Sequence, residues 1–276
     1  MLKRRSIIPL PTNKKLFTLL YFGAGNTALL SSGDTMLRFV LFFFTLSVSA
    51  VVQGSVVIMG TRVVYPATQK SISIRLNNDN ESPALVQSWL DDGDAAAPPE
   101  SVHVPFIITP PIFRMDSKSG QTVRIVYTGE SLPKDRESLF YLNVLDIPAK
   151  PGAKKDSDNS EQRNNNYLQL AIRSRIKFFF RPAHLKLTPN DAYLKVTWHQ
   201  EEGRIKAVNP TPYYITYSKI AVDQNKHLTP VEHGGMIPPF SSTVFALKGR
   251  TAPASKVSWV IVNDYGGYQQ GESVLE

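Results

Sequence analysis

The chain has no cysteine. Disulfides are excluded, so packing alone must hold whatever cores it builds. Zinc sites built on thiolates are excluded with them. Histidine is scarce: His103, His184, His199, His227 and His233 are the only five, and none stands in HExxH or HxH spacing. His227 and His233 lie near Glu232 in a Pro/Gly-rich stretch, where solvated histidines are far commoner than ligands. There is no G-x-S-x-G, no P-loop and no G-x-G-x-x-G. The carboxylate pair Asp91-Asp92 falls in "DDGD", a turn signal in which Asp is expected for backbone reasons. Catalysis therefore has little footing, and neither a metal nor a cofactor is expected. Long helices are excluded too, because 20 prolines are spread along the sequence and no segment has helical periodicity.

A strong positive charge over the body of the chain is also lacking. The formal charge is +8, from 31 Lys/Arg and 23 Asp/Glu. Residues 1–54 hold six of the basic residues (Lys3, Arg4, Arg5, Lys14, Lys15, Arg38) and one acid, Asp34, which leaves a balance of +3 for the rest. A nucleic-acid partner is not indicated. The most apolar run, from Met36 to Gly54, has an early Arg38 and about 14 mostly apolar residues ending in small ones, short for a membrane span. It reads as a secretory signal cleaved near Gly54 or Ala50, with no permanent membrane anchor; an N-terminal transmembrane anchor is the other reading, and a start at Met36 would explain residues 1–35, which fit neither signal nor domain. Export places a cysteine-free chain where disulfides are permitted but not required.

What is present is β-pattern. Runs rich in Val, Ile, Phe, Tyr and Thr alternate with turn residues: "SISIRLNN" (71–78), "ALVQSWL" (84–90), "VPFIITPPIFRM" (104–115), "QTVRIVYTG" (121–129) and "ESLFYLNVLDIP" (137–148). After Arg181-Pro182 the pattern restarts with "YLKVTWHQ" (193–200), "RIKAVNPTPYYITYSKIAV" (204–222), "STVFALKG" (242–249) and "KVSWVIVNDYGG" (256–267). Strands at this spacing predict an all-β fold, sandwich or barrel, in two domains, 55–181 and 182–276, the second of the size of one small immunoglobulin-like sandwich. Between the runs lies "AKPGAKKDSDNSEQRNNN" (149–166), which reads as a polar loop.

The strand after that loop, 167–178, carries Leu168, Leu170, Ile172 and Ile176 on one alternating set and Gln169, Arg173, Arg175 and Lys177 on the other. A strand entered from a long loop can lie at a sheet edge, and an exposed apolar edge is a liability unless it is used or covered. The use would be addition of a partner strand. Arg62, in "GTRVVYP", and Lys177 would make an anion site suited to one carboxylate, such as a peptide C-terminus, if both lined a cleft between the domains. Spacing alone leaves two ordinary surface charges as the other reading.

From about Ser55 to Glu276 the chain resembles the periplasmic chaperones of the chaperone–usher pilus pathway. The matching stretches are "GTRVVYP" (60–66), "LVQSWL" (85–90), "ITPPIFRM" (108–115), "LPKDRESLFYLNVLDIP" (132–148), "LQLAIRSRIKFFFRP" (168–182), "NPTPYYIT" (209–216) and "NDYGG" (263–267), in family order. The resemblance implies two immunoglobulin-like domains in an L or boomerang arrangement. It implies a periplasmic, non-enzymatic chaperone that completes pilin subunits by donor-strand complementation and delivers them to an outer-membrane usher. Leu168, Leu170 and Ile172 match the family's inserted side chains. Arg62 and Lys177 match the pair that anchors the pilin C-terminal carboxylate; cleavage after Gly54 would make Arg62 residue eight of the mature chain, where the family places that arginine. Glu137, Arg181 and Asp264 match charged residues that fix the interdomain angle. A free chaperone could cap its own edge by self-association. The cysteine pair of the long-loop branch is missing, which favours the short-loop branch serving rod-like pili, with an enlarged loop. The alternative of a structural pilus or cell-surface subunit would need an N-terminal donor extension and no second complete sandwich.

Overall fold

The computed structural model describes residues 56–149, 168–224, 227–249 and 253–276. The expected leader (1–54) and all but the first residue of the polar loop lie outside them.

Among the described residues nine strands form the first sandwich. β1 (Val56–Ile58), β3 (Ser71–Asn78), β7 (Gly120–Tyr127) and β5 (Phe106–Thr109) make one sheet, in that spatial order. β2 (Arg62–Pro66), β9 (Ile172–Arg181), β8 (Ser138–Pro148), β4 (Ala84–Asp91) and β6 (Ile112–Met115) make the other. The alternation in "SISIRLNN" does its expected work: Ile72, Ile74 and Leu76 face the core while Ser73 and Arg75 face out. The run ends because Asn78 turns inward, and its amide donates to the carbonyls of Ser82, Met115 and Asp116. Phe106 sits at the centre of this core, its ring 5.0 to 6.0 Å from those of Tyr65, Tyr127, Phe140, Phe178 and Phe180. Such offset and edge-on contacts add to the area each ring buries.

The second sandwich has one sheet of β10 (Thr197–Glu201), β11 (Arg204–Asn209) and β15 (Ser241–Ala246). The other runs β13 (His227–Pro230), β12 (Ile215–Gln224), β16 (Lys256–Val262), β17 (Tyr268–Val274), with β14 (Gly235–Ile237) also on β12. Its core is a separate cluster built on Trp198, Tyr217 and Trp259 with Ile205, Ile215 and Ile237. The all-β, two-sandwich expectation therefore holds.

Three local expectations need correction. The strand expected from Tyr193 begins only at Thr197, because Thr188 caps a short helix, α1 (Pro189–Tyr193), accepting from Asp191 N, with Pro189 in the first turn. The strand expected over 167–178 is a ladder over Ile172–Arg181. It starts late because its partner β8 pairs Asp146 with Ile172 and then runs out at Pro148, which has no N–H to give. It ends late because Phe178 and Phe180 are buried in the core and β2 pairs alongside. Asp91, assigned to a turn, is the last residue of β4 and fully buried.

Candidate functional site

The first sheet edge is shared unequally. β2 runs parallel to β9, and the register sets Arg62 opposite Lys177 and Pro66 opposite Arg181. Upstream of Lys177, β9 pairs with β8 alone among the described residues, which leaves Ile172–Ile176 with one open edge there. The even-numbered side chains of this segment change environment along it. Phe180 and Phe178 are core, Ile176 packs against the core, and Ile172, Leu170 and Leu168 are 48%, 60% and 82% exposed. Broken only by Ser174, this apolar row leaves the core and ends exposed, with Gln169 tied back to the Pro148 carbonyl at 2.7 Å.

Arg62 and Lys177 come together where the two sandwiches meet. Arg62 Nη1 donates to the Val262 carbonyl at 2.7 Å, and its guanidinium lies 5.8 Å from the centre of the Phe179 ring. Lys177 Nζ donates to Thr216 Oγ1 at 3.3 Å. Among the described residues neither cation has a carboxylate within salt-bridge range, and Arg62 Nε is buried without a hydrogen-bond partner. Burial lowers the pKa of both groups; the Arg62 charge lowers Lys177 further, while Tyr193, Asp264 and Glu137 partly restore Arg62. Two half-buried cations that repel each other favour an anion between them, and a carboxylate can take a fork from the guanidinium and a point charge from the ammonium.

Glu137, Arg181 and Asp264 also meet. Arg181 Nε and Nη2 reach Glu137 Oε1 at 2.8 and 2.7 Å, and Nη1 and Nη2 reach the two Asp264 oxygens at 2.7 and 2.9 Å. Burial would lower the Arg181 pKa, but the two carboxylates more than offset it and raise it above the ordinary arginine value. Glu137 is sewn to the second sandwich twice more: its Oε2 accepts from Tyr214 N at 2.8 Å, and its own N donates to the Pro212 carbonyl at 2.9 Å. The "NPTPYY" segment is held in place for this by Asn209, whose amide donates to the carbonyls of Tyr213 and Pro238 and whose oxygen accepts from Thr211.

The sequence did not point to Thr216, the Val262 carbonyl or the Phe179–Tyr214 ring pair, 5.7 Å apart, as neighbours of the cations. Val262 contributes only backbone, which leaves no side-chain signature. Among the described residues no three His, Asp or Glu lie close enough to hold a metal, and no helix is long and apolar enough to cross a membrane.

Comparison with known proteins gives two adjoining family matches. Residues 55–186 match the family described as pili and flagellar-assembly chaperone, PapD N-terminal domain, and residues 191–273 match the pili assembly chaperone PapD, C-terminal domain. The chain is 44% identical over 250 residues to chaperone protein HifB of Haemophilus influenzae, covering 88% of this chain and 100% of the relative. It is 44% identical over 229 residues to the probable fimbrial chaperone YadV of Escherichia coli K12, covering 80% of this chain and 90% of that one. The crystal structure of the YadV chaperone superposes with a TM-score of 0.67, covering 80% of this chain and 100% of that chain. The SafB chaperone of Salmonella enterica, solved in complex with the SafA pilin, is 28% identical with a TM-score of 0.67, covering 82% and 99% of the two chains.

Proposed function

The chain belongs to the PapD family of pilus-assembly chaperones, and on that premise we propose that it captures pilin subunits in the periplasm by donor-strand complementation and passes them to an outer-membrane usher. The observation that carries this reading is one piece of geometry. Arg62 and Lys177, without carboxylate partners among the described residues, stand at the head of an open strand edge whose apolar row, Ile172, Leu170 and Leu168, is exposed.

In this mechanism the subunit's C-terminal carboxylate docks first, between the Arg62 guanidinium and the Lys177 ammonium. Fixing that one end sets the register of everything upstream. The subunit's unpaired strand then pairs with the open edge of β9, and main-chain hydrogen bonds supply affinity that does not depend on subunit sequence. The Leu168, Leu170 and Ile172 side chains fill the subunit's incomplete core. The Glu137–Arg181–Asp264 junction holds the two domains, 55–181 and 182–276, at the angle the cleft needs. No nucleotide is consumed; release follows when another subunit's strand replaces β9 at the usher. In the free chaperone a second copy covers the same edge.

The test reverses both cations. Arg62→Glu with Lys177→Glu should abolish recovery of a co-expressed pilin while circular dichroism and thermal unfolding stay those of a folded β protein. Unchanged pilin recovery would sink the carboxylate anchor.

A further inference from the structure

On the outer face of the β4–β8–β9 sheet, one buried carboxylate gathers the basic residues of the open edge. Asp91 stands at the end of β4, two strands away from β9. Its Oδ2 accepts from Arg175 Nε at 2.8 Å and from Asn143 Nδ2 at 2.7 Å. Its Oδ1 accepts from Arg175 Nη2 at 2.6 Å and from Gly93 N at 2.8 Å. Burial alone would push this carboxyl up, but Arg175, Asn143 and Gly93 hold it below the ordinary carboxylate value. Arg175 also lies over the Tyr141 ring, 3.6 Å from its centre. Arg173 lies over Trp89 at 4.9 Å, donates to Asn143 Oδ1 at 2.9 Å and to the Ala95 carbonyl at 2.7 Å, and reaches to 3.6 Å from Asp91. Both arginines of the open stretch are thereby tied across β8 to β4 and the turn that follows it.

Among the described residues the backbone of Ile172–Ile176 pairs with β8 alone, and the chain before it has no ladder partner, only the side-chain bond of Gln169 to the Pro148 carbonyl. A strand held on one side frays from its free end. An incoming strand needs that edge already extended and in register. We propose that Asp91 is a positioning residue for subunit capture: through Arg175 and Arg173 it pins the open edge of β9 to the sheet. This inference rests on the reading of that edge as the one a subunit pairs with. Asp91 itself is buried and does not touch the subunit. The rest of β9 does not depend on it, because Lys177–Arg181 is held by β2 and the aromatic core.

Asp91→Asn keeps the size and removes the charge. Hydrogen exchange of the free chaperone should then speed up at Ile172–Ile176 by about tenfold or more, the usual worth of a hydrogen bond to a charged group, with Lys177–Arg181 and the second domain unchanged. The probe for capture is a pilin subunit that the unsubstituted chaperone binds, stripped of its N-terminal extension and diluted from denaturant; its complex with Asp91→Asn should dissociate about tenfold faster. Arg175→Lys, which keeps the charge but loses the fork, should fall between the two. If Asp91→Asn does not fold, Arg175→Lys and Arg173→Gln carry the same comparison. Unchanged exchange at Ile172–Ile176 overturns the clamp, and faster exchange with unaltered dissociation overturns its role in capture. Failure of the unsubstituted chaperone to capture any pilin subunit overturns the strand-lending reading and this inference with it. The exchange data, which need no subunit, distinguish that outcome from a failed clamp.

Discussion

Replacing Arg181 by methionine keeps an apolar stem at the domain junction and strands two carboxylates. They differ in what they can do next. The Asp264 side chain is 29% exposed and can turn to water, whereas that of Glu137 is 2% exposed and cannot. Glu137 would keep one bond, from Tyr214 N. Breaking a buried pair from one side costs about 3–5 kcal/mol, and the escape of Asp264 argues for the lower end. For a chain of this size, about 3 kcal/mol lowers the melting temperature by roughly 6–12 °C. The pH dependence has a definite sign. Burial already pushes the Glu137 carboxyl above the ordinary value, with Arg181 pulling it back, so losing Arg181 raises it further. A carboxyl raised in the folded state costs nothing below its unfolded value and costs most once the pH has climbed through its folded value. The deficit of Arg181→Met should therefore be largest near neutral pH and shrink on acidification. Paired calorimetric melts of both proteins at several pH values measure it. A neutral-pH loss below about 1 kcal/mol, the scale of an exposed ion pair, or a deficit that grows in acid, would refute the reasoning.

Leu170→Glu should leave the free chaperone's melting temperature almost unchanged, because the side chain is exposed, yet weaken pilin capture at least tenfold by forcing a carboxylate into an apolar groove; equal capture in a competition assay would mean this residue is not inserted. Tyr217→Phe removes a buried hydroxyl that has no partner among the described residues, so urea unfolding should report stability held or raised by about 1 kcal/mol, and a clear loss would reveal a hidden bond. Gly266 has φ +81, and a Cβ there would overlap Thr61 Oγ1 across the domain junction; Gly249 has φ +95, and a Cβ there would meet nothing within 4 Å among the described residues. Gly249→Ala should lose about 1–2 kcal/mol from backbone strain alone, and Gly266→Ala distinctly more, as read from thermal unfolding of the two variants.

Strands that bury one face and expose the other were legible. "SISIRLNN" carries its whole assignment in its alternation, and β3 has those bounds. β17 was not legible, because neither face of "YQQGESV" is well buried and its central Gly271 lies under the Trp259 ring. Strand β9 was half legible: alternation marks the segment, but "FFF" buries on both faces, with Phe179 turned toward Tyr214 of the second domain. Asp91 was misread for a related reason. Its local neighbours look like a turn, and the residue that explains its burial, Arg175, is 84 positions away. Arg62 and Lys177 have the same difficulty. Only the fold makes them neighbours, so residue spacing could not choose between an anion site and two surface charges, and the choice came from family resemblance.

The position of those two cations and the openness of the edge have one structural cause. The first described strand segment is split between the two sheets. β1 pairs with β3 in one sheet; the chain then turns at Gly60, whose φ of +134 a residue with a Cβ would rarely adopt, and β2 takes up β9 in the other sheet from Arg62 onward. Had the crossing come a few residues earlier, β2 would have paired along Ile172–Ile176 and closed the edge. Had it come later, Arg62 would not lie opposite Lys177. The break therefore sets the end of the covered part of β9 and the cation that marks it in a single step. Exposed edges in folded proteins are usually blunted by proline, a bulge or an outward lysine. Here the basic residues of the open stretch are drawn down onto Asp91, Trp89 and Tyr141 instead, and Ile172 stays exposed. An edge kept straight, in register and undefended has the features needed to accept a strand, and those a solitary β protein would be expected to lose.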